Sequence, residues 1–170
     1  KELIRGKEVR RDTHAAFCRA WTGDDPWLSC WTEGWPLYLT ELYRPEGFVS
    51  FCSQVPQDQQ SQCAMALTYI MTVQMRFELP SIASYCGSLS DPWQRRCYAG
   101  VASRLIENDK HSAFQAAGWC GQAPQDVQSD CFDEVVFSSS YMLVAGSSEH
   151  AALCAALPGD WKAECQKQNE

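Results

Sequence analysis

The sequence predicts an all-α protein built as a solenoid of 34-residue helical hairpins, each stapled by a local disulfide, and three observations predict it. The 10 cysteines fall into two interleaved series. Cys18, Cys52, Cys86, Cys120 and Cys154 follow one another at intervals of 34, while Cys30, Cys63, Cys97, Cys131 and Cys165 trail them by 12 residues in the first copy and by 11 in the other four. Residue types around the cysteines recur at the same interval, which identifies an internal repeat. The long stretches that carry the second series place apolar residues at helical spacing and show no strand-like alternation.

Each part of the unit has a local reason. Immediately before the first cysteine stands a large apolar residue, Phe17, Phe51, Tyr85, Trp119 or Leu153, and before that a small one, Ala16, Ser50, Ser84, Gly118 or Ala152. Three positions after it come Trp21, Val55, Leu89, Ala123 and Leu157, and four after the second cysteine come Gly34, Leu67, Val101 and Val135. Pro56-Gln57-Asp58, Asp91-Pro92, Pro124-Gln125-Asp126 and Pro158-Gly159-Asp160 supply turn and helix-start chemistry, since Asp accepts from free N-terminal amides and Pro needs none. A long helix of about 16 to 19 residues is expected from each of these points, as over Asp126 to Ala145, where Val127, Cys131 and Val135 share a face. Breakers follow at Arg44-Pro45-Glu46-Gly47, Leu79-Pro80-Ser81, Asn108-Asp109-Lys110 and Gly146-Ser147-Ser148. A second helix of about 8 to 11 residues then ends on the next first-series cysteine.

Composition sets the outer bounds. The chain has 170 residues, 45% of them hydrophobic and 21% charged, enough for one sizeable core and too apolar for general disorder. A formal charge of −7 argues against a general nucleic-acid binder, although Lys1, Arg5, Lys7, Arg10 and Arg11 make the first eleven residues basic. No Cys-x-x-Cys pair is present, so zinc ribbons, thioredoxin-type sites and haem attachment lack their required ligands. The cysteines therefore read as structural disulfides, which implies a periplasmic or extracellular, oxidising compartment. With no apolar run approaching the ~18 residues of a spanning helix and no signal-peptide core, the chain reads as a mature exported protein or an excised ectodomain.

A helix-turn-helix period of 34 residues is the length of the tetratricopeptide unit, and from about Asp12 to Cys165 the chain resembles the tetratricopeptide and Sel1-like helical-repeat superfamily. The tetratricopeptide Trp-x-x-Leu-Gly-x-x-Tyr run is absent, so the resemblance concerns architecture. It implies a right-handed solenoid, a single helical-repeat domain over residues 1–170 with about four full repeats between terminal half-repeats. Within a hairpin, a cysteine at the end of the short helix and one near the start of the next long helix face each other across a tight turn. The expected pairs are Cys18 with Cys30, Cys52 with Cys63, Cys86 with Cys97, Cys120 with Cys131, and Cys154 with Cys165. Each would contribute about 3 kcal/mol on the chain-entropy model.

Few residues are left to carry chemistry. Trp21 and Trp119 hold core positions; Trp93 and Trp161 sit four before a second-series cysteine and are expected to pack over the disulfide, with Trp27 in a similar place. Trp27, Trp31, Trp35, Tyr38 and Leu42 form a stripe down the first long helix, which Pro36 should kink. The stripe either packs as core or is offered to a partner, and Trp31, Trp35 and Tyr38 are the candidate partner-binding residues because the first repeat is the odd copy. Its Asp24-Asp25 pair and shifted cysteine mark it as atypical. His14 and His150 lie four before a first-series cysteine, where the other copies carry Phe48, Ile82 and Ala116, and the expectation is that they are polar residues of exposed terminal repeats. The third histidine, His111, holds no equivalent position. Glu33, Asp133, Glu134 and the Ser138-Ser139-Ser140 run read as solvated helix faces, with no histidine placed to complete a catalytic relay.

The expected function is an exported helical-repeat module that binds a protein or peptide, with no catalytic residue, cofactor or metal. The alternative is a cysteine-rich binding or accessory domain of a larger cell-envelope protein or enzyme, acting on a cell-wall or small-molecule ligand.

Overall fold

The computed structural model of the chain describes residues 9–20 and 28–168. Among these residues the fold is all-α, with no strand. The helices are α1 (Arg11–Arg19), α2 (Ser29–Glu33), α3 (Leu39–Leu42), α4 (Pro45–Cys52), α5 (Gln60–Gln74), α6 (Leu79–Gly87), α7 (Trp93–Asn108), α8 (Gln115–Gly121), α9 (Gln128–Met142), α10 (Ser148–Ala156) and α11 (Gly159–Lys167). Short helices α1, α4, α6, α8 and α10 each pack on the helix that carries the partner cysteine, respectively α2, α5, α7, α9 and α11. Those second helices also pack on one another in chain order, α2 on α5, α5 on α7, α7 on α9 and α9 on α11.

All five expected disulfides close, Cys18–Cys30, Cys52–Cys63, Cys86–Cys97, Cys120–Cys131 and Cys154–Cys165, with Cα separations of 5.4 to 5.7 Å. That spacing is what two helices meeting across a tight turn provide. The positions that recur around the cysteines are interior. Phe51, Tyr85, Trp119 and Leu153 are buried, as are Val55, Leu89, Ala123 and Leu157, and Leu67, Val101 and Val135 are fully enclosed. Of the same set, Phe17 is half-buried and Trp21 lies outside the described residues, as do Trp27 and the Asp24-Asp25 pair.

Two local expectations change. Helices α5 and α9 begin two residues later than Asp58 and Asp126 suggest, because Pro56 and Pro124 stand ahead of a turn and the helices proper start at Gln60 and Gln128, whereas α7 and α11 start directly after Pro92 and Pro158. The three central long helices are consequently 15, 16 and 15 residues. In the first unit Pro36 does more than kink the helix. It sits in the first turn of a 3-10 segment, Trp35–Tyr38, that separates α2 from α3, because its nitrogen cannot donate and its ring opposes the preceding turn.

A device with the same 34-residue interval went unread in the sequence. Gln60, Gln94 and Gln128 stand near the starts of α5, α7 and α9, and their side-chain amides donate back to carbonyls at or just past the end of the preceding short helix. Gln60 reaches Val55 O at 3.2 Å, Gln94 reaches Gly87 O at 3.1 Å, and Gln128 reaches Gly121 O at 3.2 Å and Ala123 O at 3.0 Å. Helix C-termini leave carbonyls without intrahelical donors, so each glutamine closes the turn that its neighbouring disulfide staples.

Candidate functional site: a groove across the long helices

The aromatic stripe of the first unit is divided by the structure. Trp31 and Tyr38 are buried, and only Trp35 remains half-exposed, packed by one face on the core. The expected display of Trp31 and Tyr38 to a partner is therefore corrected: both are core. The 3-10 break turns Tyr38 inward, where its ring lies 4.8 Å from that of Phe51, and both Trp31 and Tyr38 pack around His14 with ring centroids 5.6 and 5.5 Å away.

His14 and His150 are not surface residues either, contrary to expectation. Their exposures are 0% and 1%, so they fill the interior position that Phe48, Ile82 and Ala116 hold in the other units. His14 Nε2 lies 3.0 Å from the Cys30 carbonyl oxygen. A carbonyl only accepts, so Nε2 carries the proton and Nδ1 of the neutral ring faces the Tyr38 hydroxyl at 3.2 Å. Burial lowers the His14 pKa below the ordinary imidazole value, with the Cys30 bond acting the other way. His150, Cys154 and Cys165 bring three potential ligand atoms within 4.8 Å of one another. The two sulfurs are bonded to each other, so neither offers the thiolate a metal requires.

Other tryptophans resolve as packing. Trp119 is buried and donates from Nε1 to Tyr98 O at 2.9 Å. Trp93 is buried edge-on to Phe48 at 6.4 Å, and Trp161 lies over Phe132 at 5.0 Å while donating to Asp133 Oδ1 at 2.7 Å.

The site that the structure does assemble lies across α2, α5, α7 and α9. A groove of about 740 Å³ is lined by Thr32, Met65, Tyr69, Ile70, Gly100, Ser103, Glu107, Glu134, Phe137, Tyr141 and Met142, with Ala66 completing its wall. Aromatic and thioether groups dominate it, and its rim includes Phe137 at 62% and Tyr141 at 58% exposure. The two rings adjoin, with centroids 5.2 Å apart, and so form one exposed aromatic patch rather than two scattered residues. The floor is shallow at Gly100 for a steric reason: a Cβ there would come within 3.0 Å of Thr68 on α5, so the absence of a side chain lets α5 and α7 approach.

Polar groups sit at defined points in this apolar surface. Ser138 Oγ lies 2.8 Å from Glu134 Oε1 and 2.9 Å from Ser103 Oγ, with Tyr141 OH at 3.4 Å. Ser138 and Ser139 are buried and only Ser140 is exposed, so the serine run is not one solvated face. Glu134 is half-buried, and desolvation raises its carboxyl pKa against the lowering effect of Ser138, Arg96 and Ser103. Opposite it, Arg104 lies over the Tyr69 ring at 4.0 Å, bonds the Tyr69 hydroxyl and pairs with Glu107 at 2.7 Å.

The groove residues were legible in the sequence by a different projection. In the three central long helices, Ala66, Gly100 and Glu134 stand at intervals of 34, and so do Tyr69, Ser103 and Phe137. Reading Trp35 along its own helix groups it with Trp31 and Tyr38, which are core.

Among the described residues no helix is long and apolar enough to cross a membrane. Compared with protein-family models, curated proteins and solved structures, the chain finds no match.

Proposed function

We propose that the chain is an exported helical-repeat module of the tetratricopeptide and Sel1-like kind, a right-handed solenoid of disulfide-stapled 34-residue hairpins that binds a peptide segment of a partner protein along its long-helix groove. The single observation that carries this reading is the groove itself, an aromatic and methionine-lined channel that crosses successive long helices and ends on exposed Phe137 and Tyr141. Large rings with few rotatable bonds, next to adaptable methionines, supply contact area at low entropic cost. The five disulfides agree with an oxidising, periplasmic or extracellular setting. Each also fixes one short helix against the long helix beside it, which leaves the long helices to pack on one another through their side chains.

Selection of a random displayed-peptide library on the oxidised protein tests the reading. Enriched peptides should lose about tenfold or more in affinity for the Phe137→Ala, Tyr141→Ala variant, since large aromatic side chains dominate such contacts. They should bind normally to Phe114→Ala, an exposed aromatic outside the groove lining. Enrichment of nothing, or equal loss in both variants, would remove the groove as the binding site.

A further inference from the structure

The two carboxylates of the groove differ in one respect that bears on its occupant. Glu107 is already paired with Arg104. Glu134 has hydroxyl partners and no basic side chain within ion-pairing distance among the described residues, and Arg96 acts on it only through space. This half-buried carboxylate is bonded to neutral hydroxyls, and the groove it lines also holds the rings of Phe137 and Tyr141, whose faces are the negative ends of their quadrupoles, whereas the Tyr69 ring is already covered by Arg104. A carboxylate and two open aromatic rings in one apolar channel form a receptor for a cation carried on an apolar body.

We propose that the groove takes a basic, otherwise apolar peptide segment, with a lysine or arginine side chain directed to Glu134 and flanking aliphatic or aromatic residues against Met65, Ile70 and Met142. The proposal rests on the peptide-binding reading above and adds the chemistry of the ligand. A polyanion is disfavoured by the same carboxylate. A second copy of this chain seated symmetrically on the groove would bring Glu134 toward its own equivalent, and like charges in a shared apolar interface oppose association. A basic side chain inverts that cost, because it neutralises Glu134 where water is partly excluded and its alkyl stem lies on the apolar wall.

Positional-scanning pools of blocked hexapeptides, each pool fixed at one position as Lys, Arg, norleucine or Glu, provide the probe. Wild-type protein should bind the best Lys or Arg pool about tenfold more tightly than the corresponding Glu pool, a difference of about 1.4 kcal/mol. Glu134→Gln keeps an acceptor for Ser138 and removes the charge; it should abolish the basic preference while norleucine pools bind as before. The Phe137→Ala, Tyr141→Ala variant should weaken every pool together. An absent basic preference in the wild type, or its survival in Glu134→Gln, overturns the cation assignment, and norleucine pools that still depend on Phe137 would leave the peptide groove standing. If no pool binds, both readings fall. Hexyltrimethylammonium binding as tightly as the best Lys pool would assign the groove to a free organic cation. Sedimentation showing a wild-type dimer lost in Phe137→Ala would assign it to a second copy.

Discussion

The first unit and the central units share one cysteine frame and fill it differently. In the central unit α7 runs uninterrupted for 16 residues, and the interior positions beside its neighbours are hydrocarbon, Ile82, Leu67 and Val101 among them. In the first unit the equivalent helix is broken into α2, a 3-10 turn and α3, and the pair of interior positions held by Phe48 and Leu67 in the second unit is held by His14 and Gly34. The substitution is a matched pair. A Cβ on Gly34 would lie 2.1 Å from His14 Nε2, so the imidazole occupies the space that a side chain at 34 would take. A local disulfide thus fixes where two helices meet and leaves the residues behind it free to change, provided that their volumes change together.

Interior packing should give the largest effects, and it separates the two regions. Trp119→Ala empties a fully enclosed site in the centre and should cost about 4 kcal/mol in denaturant unfolding. Because Trp119 sits among helices packed on both sides, the loss should shift the whole transition. Trp31→Ala should cost about as much locally, yet among the described residues α2 packs on one long helix, α5, where α7 packs on two, and the loss should detach an early transition from the main one. Hydrogen exchange of α2 amides beside those of α7 distinguishes the two outcomes. Equal, concerted loss in both variants would show that the first unit is not energetically separable.

Next in size is the matched pair itself. Gly34→Leu, which installs the residue found at Leu67, should destabilise by about 3 kcal/mol through overpacking against the imidazole. Adding His14→Ala should recover a large part of that cost, whereas the same His14→Ala change in the Gly34 background leaves a cavity and should destabilise. A double-mutant cycle in denaturant reads the coupling directly. Additive effects would mean that Gly34 and His14 are not packed as a pair.

These contrasts also show where the fold is legible in the sequence. The helices, their order and every disulfide follow from the cysteine interval and the turn residues, because both are local consequences of chain geometry. Pro36 is expected to kink the first long helix and instead separates α2 from α3, since its nitrogen has no proton to donate and its ring opposes the preceding turn. His14 and His150 were misplaced because residue type suggested exposure, while repeat register, which puts them at the Phe48 position, correctly indicates burial. The groove was missed for the related reason that its residues belong to different helices and acquire a common face only when those helices are stacked. Nothing along α9 alone shows that the exposed Phe137 joins residues of α5 and α7 in one groove.

The smallest expected effect separates His14 from Glu134 by pH. Burial lowers the His14 pKa below the ordinary value of 6.5, so the folded protein prefers the neutral imidazole. Below that value the unfolded chain binds a proton that the folded chain refuses, so stability falls as pH falls through the window beneath 6.5. Glu134 works in the other direction. Desolvation raises its pKa above the ordinary 4.5, so between 4.5 and the raised value the folded protein holds the extra proton and gains stability on acidification. Thermal unfolding followed from pH 7.5 to 4.5 should therefore show a shallower acid loss in His14→Leu than in the wild type, and a steeper one in Glu134→Gln. The comparison is between slopes, so the fixed cost of losing the Cys30 and Tyr38 contacts drops out. Parallel curves for wild type and His14→Leu would mean that His14 is protonated in the fold as readily as in the unfolded chain, and its placement against the Cys30 carbonyl would then have to accommodate an imidazolium.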